Sequence, residues 1–250
     1  MALTRCEAIV VRTYPLGDTS RIAVLYSREF GLVRGVAKGA RGSKSRFGAG
    51  LEPLSRVDVT LYRKDGRDLD LLSKVDVIED WRASDLARVA HAQAALELVD
   101  RLVWESEPMP PLYALLVAAL EAMRTVPVET LASVTLGFQL QAAGLLGYRP
   151  EIDRCAGCGA PPSGRWAPAR GGAVCERCAE TESLCAAASP EALAGLAHLV
   201  ATPLDVLEPF ASPRAGEMLK LTELYLKSHF QRFAGFKSLA MLLSLEGVPA

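Results

Sequence analysis

The chain changes its period near residue 80, and this change constrains its fold more than any other feature. Before that point apolar and polar residues alternate in the period-two manner of strands, in EAIVVRTY, RIAVLYS, GLVRGVAKG, SRVDVTLYRK and LDLLSKVDVIED. Breaks at Gly17, Gly31, Gly48 and Gly66 separate the runs. In RVDVTLYRK, Val57, Val59 and Leu61 fall on one face, and Asp58, Thr60 and Tyr62 on the other. Five short strands in a row predict a small closed barrel, because closure removes the edges that an open sheet leaves exposed.

After Trp81 the period becomes helical. SDLARVAHAQAALELVDRLVWE opens with Ser84 as the expected N-cap and places Leu86, Val89, Ala90, Ala94, Leu98 and Leu102 on one stripe. Helices are expected over about 111–124 and 129–146. The first begins with prolines and the second ends at Gly147. Two more start at Pro190 and Ala215, before a short apolar tail. The charge-free run from Thr130 to Tyr148 is diluted by Ser133, Thr135, Gln139 and Gln141, so it reads as a buried helix and not a membrane span. The opening MALTRCEAIVVRTYPLG carries Arg5, Glu7 and Arg12 where a secretory signal needs an unbroken apolar stretch, so a cytoplasmic protein is expected. The result is an α+β multidomain chain, with a barrel over residues 1–80 and a helical domain over 81–250.

Within the helical part, CAGCGAPPSGRWAPARGGAVCERC interrupts the pattern. Its cysteines, Cys155, Cys158, Cys175 and Cys178, form two Cys-x-x-Cys pairs sixteen residues apart, the spacing of a four-thiolate zinc site. Gly157 and Gly159 ease the turn of the first pair. A catalytic zinc keeps one position open and usually includes histidine or carboxylate; four sulfurs leave none open. His91, His198 and His229 sit in no deaminase-type motif. One structural Zn2+ in a module over residues 152–180 is therefore expected. Arg165, Trp166 and Arg170 lie in the intervening loop, but four basic and four acidic residues over 151–180 give it no field for a nucleic acid. Cys6 reads as a small buried hydrophobe, and Cys185 fits the ligand spacing worse than the four.

A net charge of -1 conceals a partition. Residues 1–67 hold thirteen Lys and Arg against six Asp and Glu, whereas the remainder holds fifteen against twenty-three. The stretch RGVAKGARGSKSRFGAG carries Arg34, Lys38, Arg41, Lys44 and Arg46 with no acidic residue. Spaced cations among glycines can follow a phosphate chain. Phe47 in this loop, with Tyr26 and Tyr62 on neighbouring strands, could stack on unpaired bases; packing in the barrel core is the competing expectation for these rings. No phosphate loop, nucleophile elbow, His-Glu-x-x-His or dinucleotide fingerprint is present, and the acids from Asp68 to Asp70 read as strand-edge charge. No enzyme is expected. A metal-dependent nucleic-acid enzyme, a zinc-stapled protein-interaction adaptor and a transcription regulator remain the alternatives.

The segment AIVVRTYPLGDTSRIAVLYSREFGLVRGVAKGARGSKSRFGAGLEPL, together with LLGYRPEIDRCAGCG, resembles the RecO family of bacterial recombination mediators. The order of barrel, helices, cysteine knuckle and further helix extends the resemblance over most of the chain. It implies an N-terminal OB-fold followed by a helical domain carrying the zinc module. It also implies non-enzymatic binding of single- and double-stranded DNA, annealing of complementary strands, and work with RecR in loading RecA onto DNA coated by single-strand-binding protein during recombinational repair. Carried onto this sequence, phosphate contacts are expected at Arg34, Lys38, Arg41, Lys44 and Arg46, with Arg12 and Arg21 behind them and Phe47 within the loop. The C-terminal tail of single-strand-binding protein is a further expected partner, on the helical domain. An acidic peptide there would need cations such as Arg88, Arg101 or Arg124. A nucleoid-associated cytoplasmic location follows from the same resemblance.

Overall fold

The computed structural model describes residues 2–42, 45, 47–63, 69–83, 85–104 and 107–245. Five strands come first: β1 (Ala2–Leu16), β2 (Ser20–Ser27), β3 (Gly31–Ala37), β4 (Arg56–Arg63) and β5 (Asp70–Glu79). They close in the order β1-β2-β3-β5-β4, with β4 pairing back onto β1. This is the five-stranded OB-type barrel. Its closing seam is short, because β3 and β5 run parallel over only Gly35↔Asp70 and Val36↔Leu71.

β1 serves two neighbours, pairing with β4 through its first half and with β2 through its second. A bulge between Val10 and Arg12 adds one residue and swaps the inward and outward sets, so Ala8 and Val10 point inward before it and Arg12 outward after it. In β4, Val57, Val59 and Leu61 are buried while Asp58, Thr60 and Tyr62 are at least partly exposed, as the alternation predicts. The core also takes in Leu25, Leu72 and Phe47. Cys6 joins it, and burial pushes its thiol up to about 11, so it stays protonated and inert.

The helical region contains α1 (Leu86–Leu102), α2 (Pro110–Thr125), α3 (Leu131–Leu145), α4 (Glu176–Ala179), α5 (Pro190–Ala201), α6 (Ala215–His229) and α7 (Lys237–Leu245). Two compact units result, one of Met1–Ser84 with Val99–Ala114, the other of Asp85–Leu98 with Leu115–Ala250. The expected cap Ser84 lies outside the described residues. Asp85 caps α1, its Oδ1 accepting the Arg88 N–H at 2.7 Å.

In the second unit α3 packs against α5 and α6 and is buried along almost its whole length, from Leu131 to Ala143. Among the described residues no helix is long and apolar enough to cross a membrane. Gln141, one of the residues that dilute the apolar run, closes the end of α5: its Nε2 donates to the Leu199 and Thr202 carbonyls, and its Oε1 accepts from Leu204 N–H. The apolar tail forms α7, anchored from afar by Glu97, whose carboxylate accepts the backbone N–H groups of Lys237 and Ser238 at 2.8 and 3.1 Å.

Candidate functional site

The four clustered cysteines converge. Every sulfur of Cys155, Cys158, Cys175 and Cys178 lies within 4.8 Å of the others, and the Cys158 and Cys175 sulfurs are 3.7 Å apart. A tetrahedral ion with metal–sulfur bonds of about 2.3 Å sets its sulfurs roughly 3.8 Å apart, so the set is close to coordination size. The first pair is turned by Cys155 N–H donating to Ala160 O and by Gly159 N–H donating back to Cys155 O. Gly159 has a φ of +75°, which favours glycine, and a Cβ on Gly157 would stand 3.0 Å from the Cys178 sulfur. The second pair sits on the four-residue helix α4, with Cys175 at its N-cap and Cys178 within it.

The four thiols act on one another. Backbone N–H groups, that of Cys175 foremost, hold the Cys155 thiol down at about 6. The neighbouring sulfurs, Cys155 first, push Cys178 up to about 12. A cation held between the sulfurs would stabilise all four as thiolates. These four residues can hold a metal ion, and no protein position is left open for a substrate. Cys185 packs against the module without joining the cluster.

Around the cysteines stands a three-stranded sheet of β6 (Arg165–Ala167), β7 (Gly172–Val174) and β8 (Ala186–Ala187), ordered β7-β6-β8. The residues that could have addressed a nucleic acid are used internally. Trp166 is wholly buried and donates its indole N–H to Leu221 O on α6 at 3.1 Å. Arg165 pairs with Glu176, and Arg170 with Glu182. The module is a staple for its own unit.

On the barrel the predicted cations have distinct positions. Lys38 and Arg41 are exposed on the turn after β3, with Arg41 Nη1 donating to Gly17 O at 2.9 Å. Arg34 is half-buried on β3. Arg12 pairs with Asp100 at 3.4 Å, and Arg21 with Glu52 at 3.3 Å. Lys44 and Arg46 lie outside the described residues. Phe47 and Tyr26 are core rings, whereas Tyr62 is on the surface. Of the cations named for an acidic peptide, Arg88 is committed internally to Asp85 and to the Met123 and Val126 carbonyls. Arg101 and Arg124 are exposed.

The family model described as recombination protein O N terminal matches residues 1–81, and the one described as recombination protein O C terminal matches residues 83–240. The chain belongs to the RecO family. It is 37% identical over 249 residues to the DNA repair protein RecO of Nocardioides sp., covering 95% of this chain and 98% of that protein. The DNA repair protein RecO of Symbiobacterium thermophilum is 36% identical over 187 residues, 72% of this chain and 73% of its own length. This RecO-family chain is therefore a DNA repair protein.

Sequence reasoning missed one element of the RecO barrel surface. The chain returns at 107–113 to cover the outer face of β2. Tyr26 donates its hydroxyl to Met109 O at 3.4 Å and sits 5.9 Å from the Tyr113 ring. Tyr113 in turn donates to Glu7, which also accepts from Arg56. Gly31 meets the backbone of Glu107 so closely that any Cβ would collide with it. Pro108, Pro110 and Pro111 mark this segment only as irregular chain leading into a helix start, and nothing local in it announces a return to the barrel.

Proposed function

We propose that this chain is a non-enzymatic recombination mediator that binds DNA through the cations of its OB barrel and anneals complementary strands. The observation that carries the reading is the exposed basic turn with Lys38 and Arg41 on a barrel of OB order. Lys44 and Arg46 follow this turn in the sequence, and Arg34, Arg12 and Arg21 complete the proposed set. Neutralising phosphates on two strands lowers their repulsion and raises their local concentration, so pairing accelerates without any bond being made. Family membership supports a role beside RecR, with the tail of single-strand-binding protein as a further contact and RecA loading as the outcome. Binding of both single- and double-stranded DNA and a nucleoid-associated cytoplasmic location belong to the same reading.

In this reading the ion at Cys155, Cys158, Cys175 and Cys178 is a single Zn2+, supported by all-thiolate ligation and near-tetrahedral sulfur spacing. Metal analysis of the purified protein is expected to return one zinc per chain.

The test of DNA binding is fluorescence anisotropy of labelled single-stranded DNA across a salt series, followed by annealing of the complement without nucleotide. Replacing Lys38, Arg41 and Lys44 with Ala is expected to weaken binding and flatten the log–log salt slope by about 0.7 per lost contact. An unchanged slope would remove the turn from the interface, and no binding at low salt would favour an adaptor with a basic surface.

A further inference from the structure

Of the three rings considered for stacking on bases, Phe47 and Tyr26 are inside the protein, whereas Tyr62 is outside, and it is not the barrel's only outward apolar side chain. Leu3 is 63% exposed and Tyr62 is 38% exposed. They face each other across β1 and β4. Tyr62 lies opposite Leu71 on β5, and Leu71 opposite Val36 on β3. Val36 lies opposite Ile22 on β2, and Ile22 opposite Tyr14 on β1 beyond the bulge. One hydrogen-bonded row therefore reads Leu3, Tyr62, Leu71, Val36, Ile22, Tyr14. It spirals around the outside, with strand spacings of about 4.8 Å giving it a length of roughly 24 Å. Leu71, Val36 and Tyr14 are half-buried, and only Ile22 is nearly covered.

The neighbouring outward rows are basic. On one side, Arg5 pairs across to Thr60 and Thr60 to Lys74, and Lys38 stands two positions beyond Val36. On the other side, Arg12 lies opposite Val24 and Val24 opposite Arg34. The Arg12 guanidinium is 5.7 Å from the Tyr14 ring centre. Asp58 and Asp76, the partners of Arg5 and Lys74, face each other one row further out, so the cations stand between these acids and the apolar row. The exposed Lys74–Asp76 pair yields readily to a competing anion, whereas Arg5 holds Asp58 by two contacts and Arg12 is paired with Asp100, so a phosphate there would share the guanidinium with its carboxylate.

Resting on the DNA-binding reading above, we propose that this outer row is a stacking platform for single-stranded DNA, with Tyr62 and Tyr14 as its aromatic members and Arg5, Lys38, Lys74, Arg12 and Arg34 taking the phosphates on either side. An apolar track between two basic lines matches a strand whose bases are free and whose backbone is charged. An apolar protein segment would make no use of the cations that flank the row, the exposed Lys38 among them. A duplex keeps its bases stacked inside and engages only the cations, so the platform separates the two forms of DNA.

The experiment compares wild type, Tyr62→Ala, Tyr62→Phe and the Lys38/Arg41/Lys44 triple Ala variant on a poly-thymidine oligonucleotide and on a hairpin duplex, each over a salt series. Tyr62→Ala is expected to bind the single strand about tenfold more weakly at every salt, with an unchanged salt slope and unchanged duplex affinity. Tyr62→Phe keeps the ring and binds as wild type. Oligonucleotides bearing 5-iodouracil are expected to crosslink to peptides containing Tyr62 or Tyr14. Wild-type single-strand affinity in Tyr62→Ala, while the triple variant is weakened, would overturn the platform and leave the binding reading intact, as would equal losses on both DNA forms. A change in self-association alone would assign the row to protein contact. Failure of the wild type to bind either DNA would overturn both.

Discussion

The barrel and the cysteine module are both small β-structures, but they are held together by different forces. The barrel closes a five-strand ladder around a core containing Leu25, Val57, Val59, Leu61, Leu72 and Phe47. The module has strands of two or three residues, and the cluster beneath its cysteines has only Cys155, Ala167 and Val174 as buried members, Trp166 being turned to α6 instead. A core that small does not by itself offset the conformational entropy of ordering its loops, and a metal ion held by the four cysteines would supply the difference. Side chains with the same burial in the two regions therefore respond to different insults.

The comparison breaks most sharply with the ligands. Cys158→Ser, or a strong chelator, is expected to unfold residues 152–180 while the barrel remains protected, because metal affinity here is folding energy. Hydrogen exchange resolved by region would show it, and full module protection without metal would contradict it. The converse insult is Leu61→Ala, at a wholly buried barrel position. It is expected to cost about 2–5 kcal/mol in denaturant unfolding and to leave metal content unchanged.

A third test separates helical packing from both. His91 is buried on α1 with its Nδ1 2.8 Å from Thr135 Oγ1 of α3; Thr135 gives its own proton to Leu131 O, so Nδ1 is the donor to it. Burial pulls the imidazole from 6.5 down to about 4. The folded value lies below the unfolded one, so the contribution is complete above pH 6.5 and is lost as pH falls toward 4. The loss amounts to about 3 kcal/mol. Urea midpoints of wild type and His91→Gln across this window are expected to converge as the pH falls. The smallest effect is the flattened salt slope of the Lys38/Arg41/Lys44 variant, which leaves both kinds of scaffold intact.

Much of this was legible in the sequence because it is local. Alternation in RVDVTLYRK places Val57, Val59 and Leu61 inside, and the spacing of two Cys-x-x-Cys pairs announces that their sulfurs converge. What stayed hidden depends on distant partners. The bulge after Val10 shows only against β2. The helix α7 is short and takes its cap from Glu97, well over a hundred residues earlier. Phe47 and Tyr26 look alike from sequence as stacking rings or core rings; the barrel interior settles Phe47, and residues 107–113 settle Tyr26. Trp166 is likewise fixed by a carbonyl on α6. The outer row around Tyr62 emerges only when five strand registers are read together.

The return of residues 107–113 over β2 has a bearing on synthesis. A ribosome releases the five strands first, but Tyr26 and Gly31 keep an uncovered face until Met109 and Tyr113 have left the exit tunnel. The nascent barrel is thus a closed ladder with one sticky side for the time needed to translate some thirty further residues, at roughly 5–20 residues per second. For those few seconds a chaperone has a defined surface to guard.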